Sequence, residues 1–264
     1  MKPAFSPLTA LQRRCGALFF AALAMTAFTA ARADDSVVRR LFGGGHGIVG
    51  SGNPQSETRA ASGFQAITLR GSMKLVLRQG AREGFELRAD DNVLPLIETQ
   101  VVDRGGVPTL EIGTKNGAGY SSRTPIVATI DLIALRALTL SGSGEIVSES
   151  LKTPSLNIAV PGSGKVRLHQ LSADEVSAKV SGSGDLEFTG RTGRLVVSIS
   201  GSGDVNTRGL EADDVSVSIA GSGDANVRAR KTLSISIAGS GDVIYAGDAA
   251  VKTSIAGSGS VRKQ

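Results

Sequence analysis

The triplet Gly-Ser-Gly recurs seven times in the second half of the chain, each time after a short apolar stretch. The copies are Gly142-Ser143-Gly144, Gly162-Ser163-Gly164, Gly182-Ser183-Gly184, Gly201-Ser202-Gly203, Gly221-Ser222-Gly223, Gly239-Ser240-Gly241 and Gly257-Ser258-Gly259. Successive copies begin 20, 20, 19, 20, 18 and 18 residues apart. A period of this kind marks a repeat architecture, in which one unit cannot bury its own apolar face and must stack on its neighbours.

The residues between triplets say which repeat it is. Val215, Val217 and Ile219 alternate with Ser216 and Ser218 before Gly221, and Leu233, Ile235 and Ile237 alternate with Ser234 and Ser236 before Gly239. Alternation with period two is a strand with aliphatics on one face and serines on the other. A second strand begins after each triplet, at Leu186 and Phe188, Val205, Ala225 and Val227, and Val243 and Tyr245. Two strands and two turns in 18 to 20 residues fit one circuit of a β-solenoid. An up-and-down set of hairpins would carry a turn signal every 8 to 12 residues. Trp is absent, aromatics are 4% and there are 34 glycines, so the core is aliphatic and the chain turns often. No glycine-free stretch has helical periodicity, so the expected fold is all-β.

The triplet reads as the corner of the coil. Stacked coils repeat a corner conformation about every 4.8 Å, which leaves no room for bulk and favours glycine where φ is positive. Both outer glycines are expected to take positive φ, and the serine hydroxyl to bond a neighbouring coil or the turn backbone. The corner is followed by Glu145, Lys165, Asp185, Asp204, Asp224, Asp242 and Ser260. The four consecutive aspartates raise a calcium roll, but such rolls use a nine-residue Gly-Gly-x-Gly-x-Asp repeat, and neither period nor order matches. Asp185, Asp204, Asp224 and Asp242 are therefore outward surface candidates, with no metal assigned.

The first 33 residues have the three parts of a secretory signal. Lys2, Arg13 and Arg14 precede an uncharged stretch, Gly16 to Phe28, and Ala31-Arg32-Ala33 offers small residues at a cleavage site. The uncharged stretch is too short for a membrane span. This segment holds four of the 29 basic residues and none of the 24 acidic ones, leaving 25 against 24. The basic character thus belongs to the signal, and nucleic-acid binding loses its support. Cys15, the only cysteine, lies there too, so the remainder has no thiol for a disulfide, nucleophile or metal.

Residues 34–63, with Gly43-Gly44-Gly45 and Gly50-Ser51-Gly52, have the composition of a flexible linker. No Gly-Lys-Ser/Thr follows to make a phosphate loop, and His46 reads as solvated. From Phe64 period two sets in through Ile67, Leu69, Met73, Leu75 and Leu77, and Arg70-Gly71-Ser72-Met73 looks like a degenerate corner. Residues 115–123 read as an exposed loop. Residues 64–264 thus form one solenoid domain with a less regular N-terminal part.

Catalytic chemistry is hard to find. His169 follows Leu168 at an outward position without a partner motif, and the pairs Asp90-Asp91 and Asp213-Asp214 lie in turns where sequence neighbours point apart. No enzyme activity or cofactor is expected.

The apolar-Ser-Gly-Ser-Gly junction, the opening Phe64-Gln65-Ala66-Ile67-Thr68-Leu69, and the ending Val243-Ile244-Tyr245-Ala246-Gly247 with Ser254-Ile255-Ala256-Gly257-Ser258-Gly259 resemble the putative auto-transporter adhesin, head GIN domain family. Ala220, Ala238, Ala256 and Pro161 depart from serine before the triplet. The resemblance implies a single-stranded right-handed parallel β-helix exported from a bacterial cell. The expected role is a non-enzymatic binding or structural module in the periplasm or at the surface of a Gram-negative envelope. Its expected partner is a glycan or an envelope protein. A polysaccharide-active enzyme and an assembly scaffold are the alternatives.

Overall fold

The computed structural model describes residues 47–115 and 119–264. The signal segment, Cys15 and His46 lie outside them. The chain folds into a β-solenoid of about six turns.

The regular part starts with β10 (Ala137–Ser141), β11 (Glu145–Ser148) and β12 (Leu151–Val160), after nine strands described below. It continues through β13 (Lys165–Val180), β14 (Asp185–Gly201), β15 (Asp204–Gly221) and β16 (Ala225–Gly239). The last coil is β17 (Asp242–Ala246), β18 (Ala250–Gly257) and β19 (Ser260–Lys263). Each strand pairs in parallel with the strand one coil on, so Val215 faces Leu195 and Leu233, and Ser216 faces Val196 and Ser234. A register fixed by alternation puts every aliphatic of a column on the inside.

From β13 to β16 each coil is one long strand bent into three walls, not the two strands expected from the pattern. In β15 the buried side chains are Val205 and Thr207, then Leu210 and Ala212, then Val215, Val217 and Ile219, with outward residues doubled at 208–209 and 213–214. We call these the leading, middle and trailing walls. The middle wall is short and often filled by Ala, Thr or Gly, which is why it leaves little trace of alternation. Bends also explain the uneven period. Between β13 and β14 the register slips by one between Leu168 and Leu171, beside Gln170 at φ 45°.

The degenerate corner belongs to the same coil. In β3 (Ala66–Arg70) and β4 (Lys74–Gln79), Arg70 faces Ser141 and Lys74 faces Glu145. Gly71 has φ +111° and its amide donates to the Ser141 carbonyl at 2.9 Å. Around this coil the chain builds a cap. Strands β5 (Gly84–Asp90), β6 (Ile97–Asp103), β7 (Pro108–Thr114), β8 (Tyr120–Ser121) and β9 (Val127–Leu132) form an excursion. β7 and β9 add a parallel layer on β3 and β4. β6 then pairs antiparallel with β7, and β5 with β9. Reversing strand direction ends the stack on both walls.

Within the described residues, part of the expected 34–63 linker is strand. Ile48–Val49 (β1) pairs with β8, and Pro54–Thr58 (β2) pairs antiparallel with β5 as the outermost strand. Polar composition misled because an edge strand at a cap has no core face to fill; all five β2 residues are exposed. Tyr120–Ser121 likewise puts a short strand into the expected 115–123 loop.

Candidate binding surfaces

The corner is the first feature to locate. The middle serine's amide continues the inter-coil ladder: Ser163, Ser183, Ser202, Ser222, Ser240 and Ser258 donate to the first-glycine carbonyl of the coil before, at 2.9 to 3.2 Å. Ser143 occupies the same position, and all seven side chains are exposed. Among the described residues none of the seven hydroxyls makes a hydrogen bond, so the expected hydroxyl ladder is replaced by an amide ladder.

The two glycines are needed for different reasons. The first takes positive φ at Gly142, Gly201, Gly221, Gly239 and Gly257, between +130° and +142°. Gly162 and Gly182 do not, and neither do the third-position glycines Gly144, Gly164, Gly184, Gly203, Gly223, Gly241 and Gly259. Those are held by close stacking. A Cβ on Gly184 would lie 2.7 Å from the Gly164 carbonyl oxygen and 2.5 Å from Val160 Cγ1. Positive φ at both outer positions, expected from the sequence, therefore holds only for the first, and there in five of the seven corners.

After the corner runs a charged column on the outside of the leading wall. In stacking order it reads Lys74, Glu145, Lys165, Asp185, Asp204, Asp224, Asp242, Ser260. Its first half is paired in alternating sign: Lys74 meets Glu145 at 3.2 Å and Lys165 meets Asp185 at 2.9 Å, while Arg167 from the next column reaches Glu145 and Glu187. The Asp185 carboxylate raises the pKa of Lys165.

The second half repairs a gap in the backbone ladder. The amides of Lys165, Asp185 and Asp204 donate to the third-glycine carbonyl of the preceding coil. The amides of Asp224, Asp242 and Ser260 turn instead to the preceding aspartate's Oδ1, at 3.3, 2.8 and 2.9 Å. The Ser260 hydroxyl and amide hold the Asp242 carboxyl below its ordinary pKa. The aspartates are thus rungs between coils. Among the described residues no three His, Cys, Asp or Glu side chains converge.

The trailing wall is chemically the opposite. Its outward residues over β14 to β16 are Val196, Ser198, Ser200, then Ser216, Ser218, Ala220, then Ser234, Ser236, Ala238. None is charged and none is larger than valine. The same wall runs through nine parallel strands from β7 to β18, with Lys179 and Lys252 among its few charges.

At the capped end this wall is overhung by the β6–β7 turn, which forms a hollow of about 460 Å³ lined by Thr68, Arg70, Arg104, Glu111, Thr139 and Ser141, with Ala66, Val107 and Ala137 between them. Glu111 is outward in register yet buried, its side chain 4% exposed. Arg104 donates through Nε at 2.8 Å and through Nη2 to Oε1, and Arg70 Nη2 donates to Oε2 at 2.7 Å. The Arg104 hydrogen bonds foremost hold the Glu111 carboxyl below its ordinary pKa. Sequence reading passed over this cluster because its members lie 34 and 7 positions apart on strands that alternate ordinarily.

His169 is half-buried at the first bend. Asp90 and Asp91 do point apart: Asp91 is exposed, while Asp90 is buried and accepts from Thr124 Oγ1 at 2.6 Å, the Arg123 amide at 3.0 Å and Ser122 Oγ at 3.2 Å. This carboxylate ties the 122–124 segment to the cap. Asp213 and Asp214, expected to point apart in a turn, instead both face outward at a bend inside β15, where Asp213 pairs with Lys231 at 2.9 Å. Among the described residues no helix is long and apolar enough to cross a membrane.

Comparison with solved structures gives the same architecture. A putative adhesin from Bacteroides fragilis is 22% identical with a TM-score of 0.78, over 83% of this chain and 100% of that one. A putative lipid binding protein from Parabacteroides distasonis is 25% identical with a TM-score of 0.66, over 82% and 99%. A putative adhesin from Parabacteroides merdae is 21% identical with a TM-score of 0.65, over 82% and 98%. Curated proteins give no significant match. The family model for the putative auto-transporter adhesin, head GIN domain matches residues 63–249, and with the corner ladder and the stacked coils in view the chain belongs to that family.

Proposed function

We propose that this chain is a non-enzymatic, exported binding module that lays its trailing wall against a repeating polymer, a glycan or an envelope protein. The observation that carries this is the contrast between walls. The leading and middle walls carry many charges, several of them paired from coil to coil, as Asp213 is with Lys231 and Glu187 with Arg167. The trailing wall presents flat rows of serine and alanine at the strand spacing, which a regular ligand can follow with hydrogen bonds and close contact. Charge on such a face would hold water against an uncharged polymer; its absence over β14 to β16 lowers the desolvation cost there. Export to the periplasm or cell surface is supported by the three-part segment before Asp34 and by family membership.

The test is binding of the purified protein to a glycan array and to envelope fractions, with Ser236→Trp on the trailing wall and Glu187→Trp on the leading wall. We expect Ser236→Trp to weaken retained ligands about tenfold or more, on the scale of losing a central contact, and Glu187→Trp to leave them unchanged. Equal loss from both, or loss from Glu187→Trp alone, refutes the assignment of the wall.

A further inference from the structure

The hollow at the capped end of the trailing wall has more positive charge than its own structure uses. One guanidinium suffices to pair a carboxylate, yet Glu111 is held by two, Arg70 and Arg104, whose side chains stay 51% and 63% exposed. Each guanidinium has five N–H donors. Among the described residues Arg104 spends two and Arg70 one on Glu111. The rest face the hollow or solvent, and the buried glutamate tethers both side chains, Arg104 through two hydrogen bonds and Arg70 through one. That is a preorganised oxyanion seat with a net charge of one cation.

The floor names the rest of the ligand. Thr68, Thr139 and Ser141 line it, and none of their hydroxyls hydrogen-bonds within the described residues. Thr109 is different, since its hydroxyl donates to the Val107 carbonyl at 3.0 Å. Between the hydroxyls lie the methyl groups of Ala66 and Ala137. An anion, several hydroxyls and small apolar patches together describe a sugar acid. The volume of about 460 Å³ is within the range of small-ligand sites.

We propose that this hollow seats an acidic sugar residue of a glycan, with its carboxylate against Arg70 and Arg104 and its ring hydroxyls on the Thr68, Thr139 and Ser141 floor. The assignment rests on the trailing wall being the binding surface and places an anion-selective end on it.

Trigalacturonate is the probe, titrated calorimetrically against its methyl ester and against decanoate. Two variants accompany it. Arg104→Ala removes half of the seat. Ser141→Asp places a carboxylate opposite Arg70, its register partner, leaving both arginines intact. We expect trigalacturonate to bind at millimolar concentration or below, with affinity falling as salt rises. The ester, Arg104→Ala and Ser141→Asp should each weaken it about tenfold or more. Ser141→Asp should keep or raise the melting temperature, so its loss of binding cannot come from unfolding. Three results overturn the proposal: no binding of trigalacturonate to the wild type, equal binding of the ester, or unchanged binding to Ser141→Asp. Equal binding of decanoate overturns the sugar assignment in favour of a fatty acid. If trigalacturonate fails while Ser236→Trp still abolishes binding of a neutral glycan, the wall stands and only the acidic end falls.

Discussion

At the scale of single residues, the corner separates three kinds of requirement that one triplet hides. Gly221 answers a positive φ and a close neighbour together, Gly184 answers stacking alone, and the serine between answers neither through its side chain. Substitutions should rank accordingly. Ser222→Ala should stay within about 0.5 kcal/mol of wild type. Gly184→Ala should cost about 1–3 kcal/mol, as overpacking does, and Gly221→Ala should cost more, with backbone strain added. Urea midpoints of the three variants check the order; a Ser222→Ala loss as large as that of Gly184→Ala would return the hydroxyl to a structural role. The triplet was legible in sequence because glycine advertises itself. Its division of labour was not, since φ and inter-coil distance have no letter of their own.

The aspartate rungs bring pH into the same corner. In the folded chain the Ser260 hydroxyl and amide depress the Asp242 pKa, and Thr124 foremost depresses that of Asp90. A depressed carboxyl stabilises the fold above its unfolded value, about 3.9, and loses that contribution as the pH falls through the folded value. The melting temperature of wild type should therefore exceed that of Asp242→Asn at pH 7, and the gap should close as the solution is taken below about pH 4. A gap that persists or widens in acid contradicts the charge-based account.

At the scale of elements, the cap is what the sequence concealed. Regular coils write the same pattern many times, so periodicity exposes β13 to β16 even where single strands are weak. β2, β5 and β6 each occur once, pair antiparallel and meet partners far away in sequence, so nothing repeats to reveal them. Arg59 holds this region together, donating to the Ile97 carbonyl at 2.5 Å, Thr99 Oγ1 at 2.7 Å and the Leu94 carbonyl at 2.9 Å from a side chain 15% exposed. Arg59→Ala should cost about 2 kcal/mol or more, because buried carbonyls lose a charged donor. Hydrogen exchange should speed up in β5 and β6 and leave β14 and β15 unaffected, since repeats interact with neighbours only. Acceleration spread evenly over the chain would mean the cap and coils unfold as one. The binding hollow shares this illegibility: Arg70 was readable as an outward strand residue, but only the cap's turn carries Arg104 to it.

For the molecule as a whole, the two ends of the stack differ. One is closed by antiparallel strands; at the other, β18 is exposed along its length, Val251 and Ile255 included. Exchange protection should rise from β18 inward to β14 and β15, where stacking is complete on both sides. Uniform protection across β13 to β18 would show that some contact covers that end in solution. Walls of opposite chemistry follow from one alternation repeated at one register, so the charge contrast was present in the sequence as soon as the columns could be aligned; the middle wall was needed to align them.

The order in which layers are laid down carries a consequence for a chain that emerges from its N-terminus. The earliest coil in sequence, β3 with β4, is not at the end of the stack: β7 and β9 lie on one side of it and β10 and β11 on the other. Nothing before Leu132 can be completed by growth in one direction, and pairing Ala66 with Ala137 closes a loop of about 70 residues, roughly 1 kcal/mol more than the 18- to 20-residue step of each later coil. Once that seed is shut, each further 20 residues finds a finished template waiting. Folding should thus begin with this closure and then add layers one way, so a defect that keeps Ala66 from pairing with Ala137 delays every later coil, whereas one after Gly221 costs only the last layers.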